Sequence, residues 1–364
     1  MMGELHFTAS TRFEAARRLD TAPTGHRTRN LHGHGFTVRV RATLPPSWAA
    51  FSGAESDFLH RELARCVMPL DYALLNDHIA VPSDENVARW IRDRLDAPGV
   101  ETVGVKSTRD QGIDLDEANT AHIWRRFRFE AAHRLPFAPA GHQCARMHGH
   151  GFEVVIHARH APENDGTGLD FDQLTRCWAP LHRQLDHVCL NDIPGLENPT
   201  SELIAVWIWT RLTPQVPQLS WVTVYETVTA GCHFDGIRHR IWKEQRFESA
   251  LRLRSAPDGD SRRRQHGHSY QIRLHLTAPV DPVAGWTVDF GIVKDLFEPL
   301  YRQLDHQSLD SVAELTEADN ASLLQWIREC LAVALPQLDR IDLFHTPGCG
   351  AILSWGETGP ALPG

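Results

Sequence analysis

Residues Phe129 to Phe152 read FEAAHRLPFAPAGHQCARMHGHGF, and three of their four histidines, together with a cysteine, fall in one strand-loop-strand pattern. Residues two apart in a strand point to the same face, so the imidazoles of His148 and His150 can converge on one point, while His133 on the neighbouring strand supplies a third. Three histidines with a fourth position left for water or substrate are typical of a catalytic zinc ion, whereas a closed structural site uses four protein ligands. The stretch therefore predicts a Zn²⁺ site held by His133, His148 and His150.

The same pattern occurs three times along the 364 residues. FEAARRL at Phe13 precedes FEAAHRL at Phe129 by 116 residues, FESALRL at Phe247 follows it by 118, and an HGH tripeptide follows each copy at the same distance. Self-similarity at a fixed period indicates one domain repeated in tandem. We place the three units at residues 1–119, 120–236 and 237–364.

Each unit is predicted to be of the ββααββ type. FTVRVRATL, EVVIHAR and YQIRLHLTA, one in each unit, alternate apolar and polar residues, which is typical of half-buried antiparallel strands. In the middle unit we expect strands over 122–132, 152–160 and 221–227 and a helix over 172–184. Exposed edge strands are a liability unless they are paired. Joining three units edge to edge in a closed antiparallel barrel, with helices outside, is therefore the expected α+β fold.

Composition and charge exclude several classes of protein. A net charge of −9 argues against nucleic acid or an anionic membrane surface as the main partner. No apolar run is long enough to span a bilayer, and the N-terminal MMGELHFTAS lacks the features of a secretion signal. Seven cysteines without regular spacing do not indicate a disulfide framework, so a cytoplasmic location is expected.

Cys144 is a candidate catalytic group because it lies four residues before His148. A thiol beside a dication and a basic side chain such as Arg146 is expected to have a lowered pKa, and a thiolate can act as a general base or nucleophile. The alternative is a small buried side chain without chemistry.

Two further features of the middle unit suit proton transfer or recognition. Asp186 and His187 place a carboxylate beside an imidazole, which can hold the histidine in one tautomer. Glu226 lies at the end of the last predicted strand, where a carboxylate can accept two parallel hydrogen bonds from an amino group and a ring N–H.

The three units differ at these positions. His133 is replaced by Arg17 in the first unit and by Leu251 in the third, and neither side chain can ligate zinc. Only the middle unit is therefore predicted to hold a metal, and His32, His34, His266 and His268 are predicted to be structural. The positions of Cys144 and Glu226 are also changed, to Thr28 and Ser107 in the first unit and to Arg262 and His345 in the third.

The middle unit, from about residue 124 to 234, resembles the 6-pyruvoyltetrahydropterin synthase family through GHQCARMHGH, LDHVCLNDIPGLENPTSE and ETVTAGC. The resemblance implies the tunnelling fold (T-fold), in which three subunits form a twelve-stranded barrel, so this chain would be a covalent pseudo-trimer. Two such barrels can stack, here as a homodimer of pseudo-trimers. By resemblance, the three histidines bind zinc, Cys144 is the catalytic base, Asp186 and His187 relay protons, and Glu226 anchors a pterin.

The motif GHQCARMHGH is most similar to the bacterial carboxy branch of the family. That branch implies zinc-dependent conversion of 7,8-dihydroneopterin triphosphate to 6-carboxytetrahydropterin, acetaldehyde and triphosphate, in the synthesis of queuosine and other 7-deazapurines. A 6-pyruvoyl product and a zinc- and pterin-binding module without turnover are the alternatives. Family active sites lie between subunits, so Asp305 and His306 of the third unit are alternatives to Asp186 and His187.

Overall fold

The computed structural model describes residues 3–160, 169–315, 317–357 and 359–360. Within them the chain forms fifteen strands and six α-helices. The first unit contains β1 (Glu4–Arg17), β2 (His32–Ala42), α1 (Glu55–Val67), β3 (Ala73–Leu74), α2 (Asp84–Arg94), β4 (Val100–Thr108) and β5 (Gln111–Leu115). The second contains β6 (Ala121–His133), β7 (His148–His160), α3 (Phe171–Leu185), β8 (Val188–Cys189), α4 (Ser201–Leu212), β9 (Leu219–Thr227) and β10 (Ala230–Phe234). The third contains β11 (His239–Leu251), β12 (His266–Thr277), α5 (Phe290–Leu304), β13 (Gln307–Ser308), α6 (Asn320–Leu331), β14 (Leu338–Thr346) and β15 (Cys349–Ser354).

Twelve of these strands form one closed antiparallel barrel. Its strand order is β1, β2, β4, β5, then β6, β7, β9, β10, then β11, β12, β14, β15. Tight connections join β5 to β6 and β10 to β11, and the ring closes where Glu4 to Thr8 of β1 pair with Ser354 to Gly350 of β15. The two-residue strands β3, β8 and β13 pair in parallel with β1, β6 and β11. The predicted α+β T-fold with a pseudo-trimeric barrel is confirmed.

Alternation along the strands separates an outer apolar face from an inner polar one. In β2, Val38, Val40 and Ala42 are buried in the same core as Leu59 and Leu63 of α1. The residues between them in β2 point to the opposite face, because side chains alternate across a strand. The helices therefore cover the outside of the barrel, and the intervening residues line its lumen.

Helix α3 shows how a helix seals the outer face. Leu174, Trp178, Leu181 and Leu185 recur at helical spacing and are buried against the sheet. Asp170 caps the helix by accepting a hydrogen bond from the backbone N–H of Gln173. The helix exceeds the predicted range of 172–184 by one residue at each end. No helix in the described ranges is long and apolar enough to cross a membrane.

The HGH tripeptide of the second unit lies inside a strand. We expected this strand to begin at residue 152, but β7 begins at His148, because β6 continues to His133 and pairs with it there. Gly149 lies opposite Ala132, and a Cβ atom at Gly149 would lie 3.2 Å from the carbonyl oxygen of Ala131. The regular pairing fixes all three predicted ligand histidines on strand backbone rather than on a loop.

The lumen is partly filled near the second unit. Trp124, Val155, Tyr225 and Trp242 form an apolar cluster separate from the main core. At this level of the barrel the Oδ1 atom of the buried Asp342 carboxylate accepts a 2.6 Å hydrogen bond from Arg340, and its Oδ2 lies 3.2 Å from the ring Nε2 of His275. The barrel interior is thus a packed and charged environment rather than an empty pore.

Removing the ring of Phe129 should destabilise the barrel. Its side chain is 1% exposed and stacks on Phe152 with ring centroids 4.9 Å apart. We expect Phe129→Ala to lower the free energy of unfolding by about 3–5 kcal/mol, measured by chemical denaturation. The matched control is Phe137→Ala, whose ring is 55% exposed and which should change stability by less than about 0.5 kcal/mol. Equal losses in both variants would contradict the assigned packing.

Candidate functional site

The three predicted ligand histidines of the second unit converge. His133 lies directly opposite His148 in the β6–β7 pairing, and His150 lies opposite Ala131. One nitrogen from each imidazole lies within 4.8 Å of the others. The ring centroids are 4.5 Å apart for His133 and His148, 5.1 Å for His133 and His150, and 5.0 Å for His148 and His150. The arrangement is compact enough for one ion to touch all three.

The hydrogen bonds of these imidazoles leave nitrogens facing a common point. The Nδ1 of His133 lies 3.1 Å from the carbonyl oxygen of Pro199, and the Nδ1 of His148 lies 2.8 Å from that of Arg146. When each Nδ1 donates to its carbonyl, each Nε2 has a free lone pair. The Nε2 of His133 is buried without a hydrogen-bond partner, which costs free energy unless something binds it. This orphaned nitrogen and the three-histidine set fit a zinc ion.

Burial favours the neutral, ligating form of these side chains. It is the main cause that lowers the pKa of His133 to about 4, with a further contribution from His148. Burial and His148 also lower the pKa of His150. A neutral imidazole is the form that binds a metal.

Glu226 lies at the same site. Its Oε1 is 3.7 Å from the Nε2 of His150, and its side chain is 13% exposed. Burial raises the pKa of Glu226 to about 7, and the nearby carboxyls of Glu202 and Asp289 add to this effect. A carboxyl with this pKa can accept or release a proton near neutral pH.

Glu202 is a site residue that sequence reasoning did not single out. It belongs to α4, is 2% exposed, and accepts a hydrogen bond from the backbone N–H of Thr287 in the third unit. Burial raises the pKa of Glu202. The signal available in the sequence was an acidic residue at the start of an otherwise apolar helix.

Cys144 is half-buried on a short turn, Gln143–Ala145, between β6 and β7, and like the other six cysteines it is a free thiol. The prediction of a lowered pKa for Cys144 is wrong for the protein's own groups. Burial raises the pKa of this thiol, and the carboxyls of Glu226 and Asp289 raise it further. Arg146, which was expected to lower it, is not among the groups that shift it.

The third unit reaches this turn through Asp289. The Nδ1 of His142 accepts a hydrogen bond from the backbone N–H of Cys144 at 3.2 Å, so its Nε2 carries the proton and donates to Asp289 at 3.1 Å. A neighbouring unit therefore holds the turn that carries the thiol. The sequence could not reveal this contact, because it depends on how the units pack.

A histidine–aspartate contact of the same kind joins the first two units. The Nδ1 of His26 accepts from the backbone N–H of Thr28 at 3.3 Å, and its Nε2 lies 3.2 Å from Asp172 of the second unit. Thr28 stands where the second unit has Cys144, so the first unit keeps the support of the turn without the thiol.

Asp186 and His187 form the predicted carboxylate–imidazole pair, with 2.9 Å between Asp186 Oδ2 and His187 Nδ1. Asp186 also accepts from the backbone N–H of Glu130 in β6, and the side chain of His187 is 76% exposed. The short strand β8 that follows pairs with the edge of β6 away from β7. The pair therefore lies on the far side of β6 from His148 and His150.

Asp305 and His306 form an equivalent pair in the third unit, with 2.9 Å between His306 Nδ1 and Asp305 Oδ2. They follow α5, whereas Asp289, which contacts the second unit, precedes it. Fifteen helical residues span about 22 Å. His306 instead lines a groove with His266 and His268 of its own unit. The contact of the third unit with the turn that carries Cys144 is thus made at the start of α5.

In the first unit, a buried ion pair stands where the metal site would be. Arg17 is 5% exposed and donates to the carbonyl of Pro82 at 2.9 Å and to Asp84 at 2.6 Å. Ser107 donates to the other oxygen of Asp84 at 2.6 Å. A guanidinium offers no lone pair to an ion, and its own charge replaces that of a cation.

In the third unit, Leu251 fills the place of the third ligand and is 2% exposed. His345, at the position of Glu226, lies with its ring 5.0 Å from that of His268 and its Nε2 3.6 Å from Asp57 of the first unit. Arg262 donates to Asp57 at 2.8 Å. This pocket is closed by a network of side chains across the boundary between the third and first units.

The described residues contain a second group with metal-ligand atoms, Glu4, His6 and Glu101. Glu101 is already engaged there, since one oxygen lies 2.7 Å from the Nδ1 of His6 and the other accepts from Arg41 at 2.9 Å. These contacts lower the pKa of Glu101 to about 2 against the raising effect of burial. We interpret the group as a structural ion pair near the barrel mouth.

The chain matches the model of the 6-pyruvoyl tetrahydropterin synthase family three times, over residues 6–117, 122–236 and 240–355. The chain belongs to this family. A relative from Synechocystis, named 6-carboxy-5,6,7,8-tetrahydropterin synthase, is 40% identical over 119 residues, which cover 31% of this chain and 91% of the relative. A Pyrococcus furiosus relative named dihydroneopterin monophosphate aldolase is 34% identical over 27% of this chain and 79% of its own length. The structure of Caenorhabditis elegans 6-pyruvoyl tetrahydropterin synthase aligns with a TM-score of 0.29 and 21% identity, covering 31% of this chain and 92% of that chain.

Metal content should distinguish the units. We expect about one zinc ion per purified chain by elemental analysis, because a single unit carries three histidine ligands. His133→Ala should remove it, since two imidazoles hold zinc weakly. The matched control is His34→Ala in the first unit, which should leave the zinc content unchanged. Zinc retained by His133→Ala, or three ions per chain, would contradict the assignment.

Proposed function

We propose that this chain is a zinc-dependent 6-carboxytetrahydropterin synthase with one active site per chain. It would convert 7,8-dihydroneopterin triphosphate to 6-carboxytetrahydropterin, acetaldehyde and triphosphate, the reaction class that supplies queuosine synthesis. The observation that carries the proposal is the orphaned Nε2 of His133 beside His148 and His150, within reach of Glu226. The likeness to the Synechocystis relative supports the carboxy product over the pyruvoyl one.

The histidine triad would serve the side chain of the substrate, and the buried carboxyl of Glu226 would bind its pterin ring. A zinc ion held by His133, His148 and His150 would act as a Lewis acid towards the side-chain hydroxyls of the substrate. Glu226 would accept hydrogen bonds from the amino group and ring N–H of the pterin, an interaction that two carboxylate oxygens suit. Glu202 lies close enough to raise the pKa of Glu226. At neutral pH the Glu226 carboxyl would therefore be protonated in a fraction of the molecules.

Cys144 would act as the base that removes a proton from the substrate side chain. Its raised pKa makes the thiolate, once formed, a stronger base than an ordinary cysteine. Glu226 has a pKa of about 7 and is close enough to Cys144 to influence its pKa, so it is suited to exchange a proton with it. The turn held by His142 and Asp289 fixes where the sulfur can reach.

Asp186 and His187 would relay protons only if another part of the assembly places a bound substrate against His187. The imidazole is exposed and lies near the barrel end where β6 and β7 present the triad. A second chain stacked on that end, in a homodimer of pseudo-trimers, would cover the exposed pair. We propose this assembly as the way in which the relay pair reaches a site.

The test of the proposed function is product analysis with Cys144→Ala. On 7,8-dihydroneopterin triphosphate the unaltered chain should release 6-carboxytetrahydropterin and acetaldehyde. Cys144→Ala should lower kcat by about a hundredfold or more while zinc content and pterin binding persist. Cys330→Ala, an exposed thiol on α6, is the control and should retain full turnover. A pyruvoyl or aldolase-type product would overturn the carboxy assignment, and binding without turnover would indicate a non-catalytic module.

Asp289 should act as a positioning residue for the thiol. Asp289→Asn keeps the shape of the side chain but weakens its hydrogen bond with His142, so we expect kcat to fall by about tenfold with little change in KM. Asp172→Asn alters the same contact at the first boundary, beside Thr28 instead of a cysteine, and should leave kcat unchanged. Steady-state kinetics of both variants would check this. Similar losses in the two would show that the contact only holds the units together.

A further inference from the structure

A cavity of about 750 Å³ lies in the lumen of the barrel. Among the described residues that line it, nine are basic and four are acidic, although the whole chain carries a net charge of −9. The basic lining residues are Arg12, Arg39, Arg41, Lys106, Arg109, Arg126, Arg246, Arg273 and Arg340. The lumen therefore has a charge of opposite sign to the protein as a whole.

The excess positive charge comes from the first unit. Four of its lumen positions, on β1, β2, β4 and the turn after β4, carry Arg12, Arg39, Lys106 and Arg109. The repeat register matches these positions to residues of the other units. The second unit has one cation there (Arg128, Val155, Tyr225, Val228), and the third has two (Arg246, Arg273, Phe344, Pro347). The first unit alone carries a cation at all four.

The acidic lining residues are mostly engaged by arginines of the other two units. Their nearest ion pairs are Glu153 with Arg128 at 2.9 Å and with Arg126 at 3.1 Å, Glu244 with Arg273 at 2.8 Å, and Asp342 with Arg340 at 2.6 Å. The fourth, Asp114, faces Arg39, and burial raises its pKa. Three of the four acids of the lumen thus lie in the second and third units, and one lies in the first.

The pKa of Lys106 reflects the high density of positive charge around it in the lumen. Burial is the main cause that lowers this pKa to about 8, and the positive charges of Arg39, Arg126, Arg12 and Arg109 contribute to this shift. Like charges disfavour one another's ionised forms, so an anion among them would relieve this repulsion.

We propose that the cation cluster, defined as Arg12, Arg39, Lys106, Arg109 and Arg126, binds a compact polyphosphate anion inside the barrel. Guanidinium groups bind phosphate oxygens through paired N–H donors, and a lysine adds a point charge. Thr8, Ser10, Thr11 and Thr37 line the same cavity and offer hydroxyl donors. The inference does not depend on the reaction proposed above, because four of the five cations belong to the first unit and the fifth, Arg126 of the second unit, lines the lumen.

Isothermal titration with inorganic tripolyphosphate at pH 7 tests the proposal. The unaltered chain should bind one tripolyphosphate, with an affinity that falls as salt rises, because the site is electrostatic. The double variant Lys106→Gln and Arg109→Gln should have an affinity for tripolyphosphate that is lower by about tenfold or more, since two of the five cations are removed. Arg109 is exposed, so Arg109→Gln alone serves as a second variant in which folding is not at issue.

The matched control removes a positive charge from outside the barrel. Arg302 of α5 is 75% exposed and pairs with Glu298, so Arg302→Gln changes net charge by the same amount as Arg109→Gln. It should leave tripolyphosphate affinity unchanged. Absence of binding to the unaltered chain, or equal affinity in the Arg109 and Arg302 variants, would overturn the proposal. If tripolyphosphate bound only at the histidine site of the second unit, the Arg109 and Arg302 variants would have equal affinity.

Discussion

The antiparallel pairing of β1 with β15 is the contact on which the rest of the structure depends. The other two boundaries between units are held by covalent hairpins, but this one is held by non-covalent contacts: backbone hydrogen bonds, side-chain packing and side-chain polar contacts. Without it both outer strands would be unpaired edges, and the inner faces of all twelve strands would be open to water. Closure also brings Asp57 of α1 against Arg262, so the first and last units share a side-chain network. The lumen and all three boundary pockets exist because the ring is closed.

The fold could be predicted from sequence because its determinants repeat. Three copies of one motif at a regular period, each with alternating strands, leave few ways to pair every edge. The convergence of His133, His148 and His150 could be predicted as well, since these side chains meet through pairing between two adjacent strands. The prediction of the start of β7 was wrong. The glycine-containing HGH tripeptide was expected to precede the strand, whereas β6 extends far enough to pair with this tripeptide and make it part of β7.

The rest of the site could not be predicted, for a physical reason. The pKa of Cys144 depends on Glu226 and Asp289, which are distant in sequence and in one case belong to another unit. The expected lowering of this pKa by a dication and by Arg146 is therefore opposite in sign to the effect of burial, Glu226 and Asp289. Glu202 was missed because a lone acidic residue at the start of a helix is usually a solvated one, whereas here it is buried and hydrogen-bonded to Thr287 of the third unit. Contacts across a unit boundary leave no periodic signal in the sequence.

A single chain also permits chemistry that three identical subunits could not hold. In a homotrimer every substitution appears three times around the axis, so the four cations of the first unit's lumen face would become three times as many in one barrel. Coulomb repulsion grows with the number of pairs, and the low dielectric of a packed interior strengthens it. Here the second unit instead contributes Trp124, Val155 and Tyr225 to an apolar cluster on the same lumen. Joining the units lets one wall be charged, another apolar, and a third ion-paired. It also lets one unit keep a triad of histidines while another has a buried arginine in the place of His133.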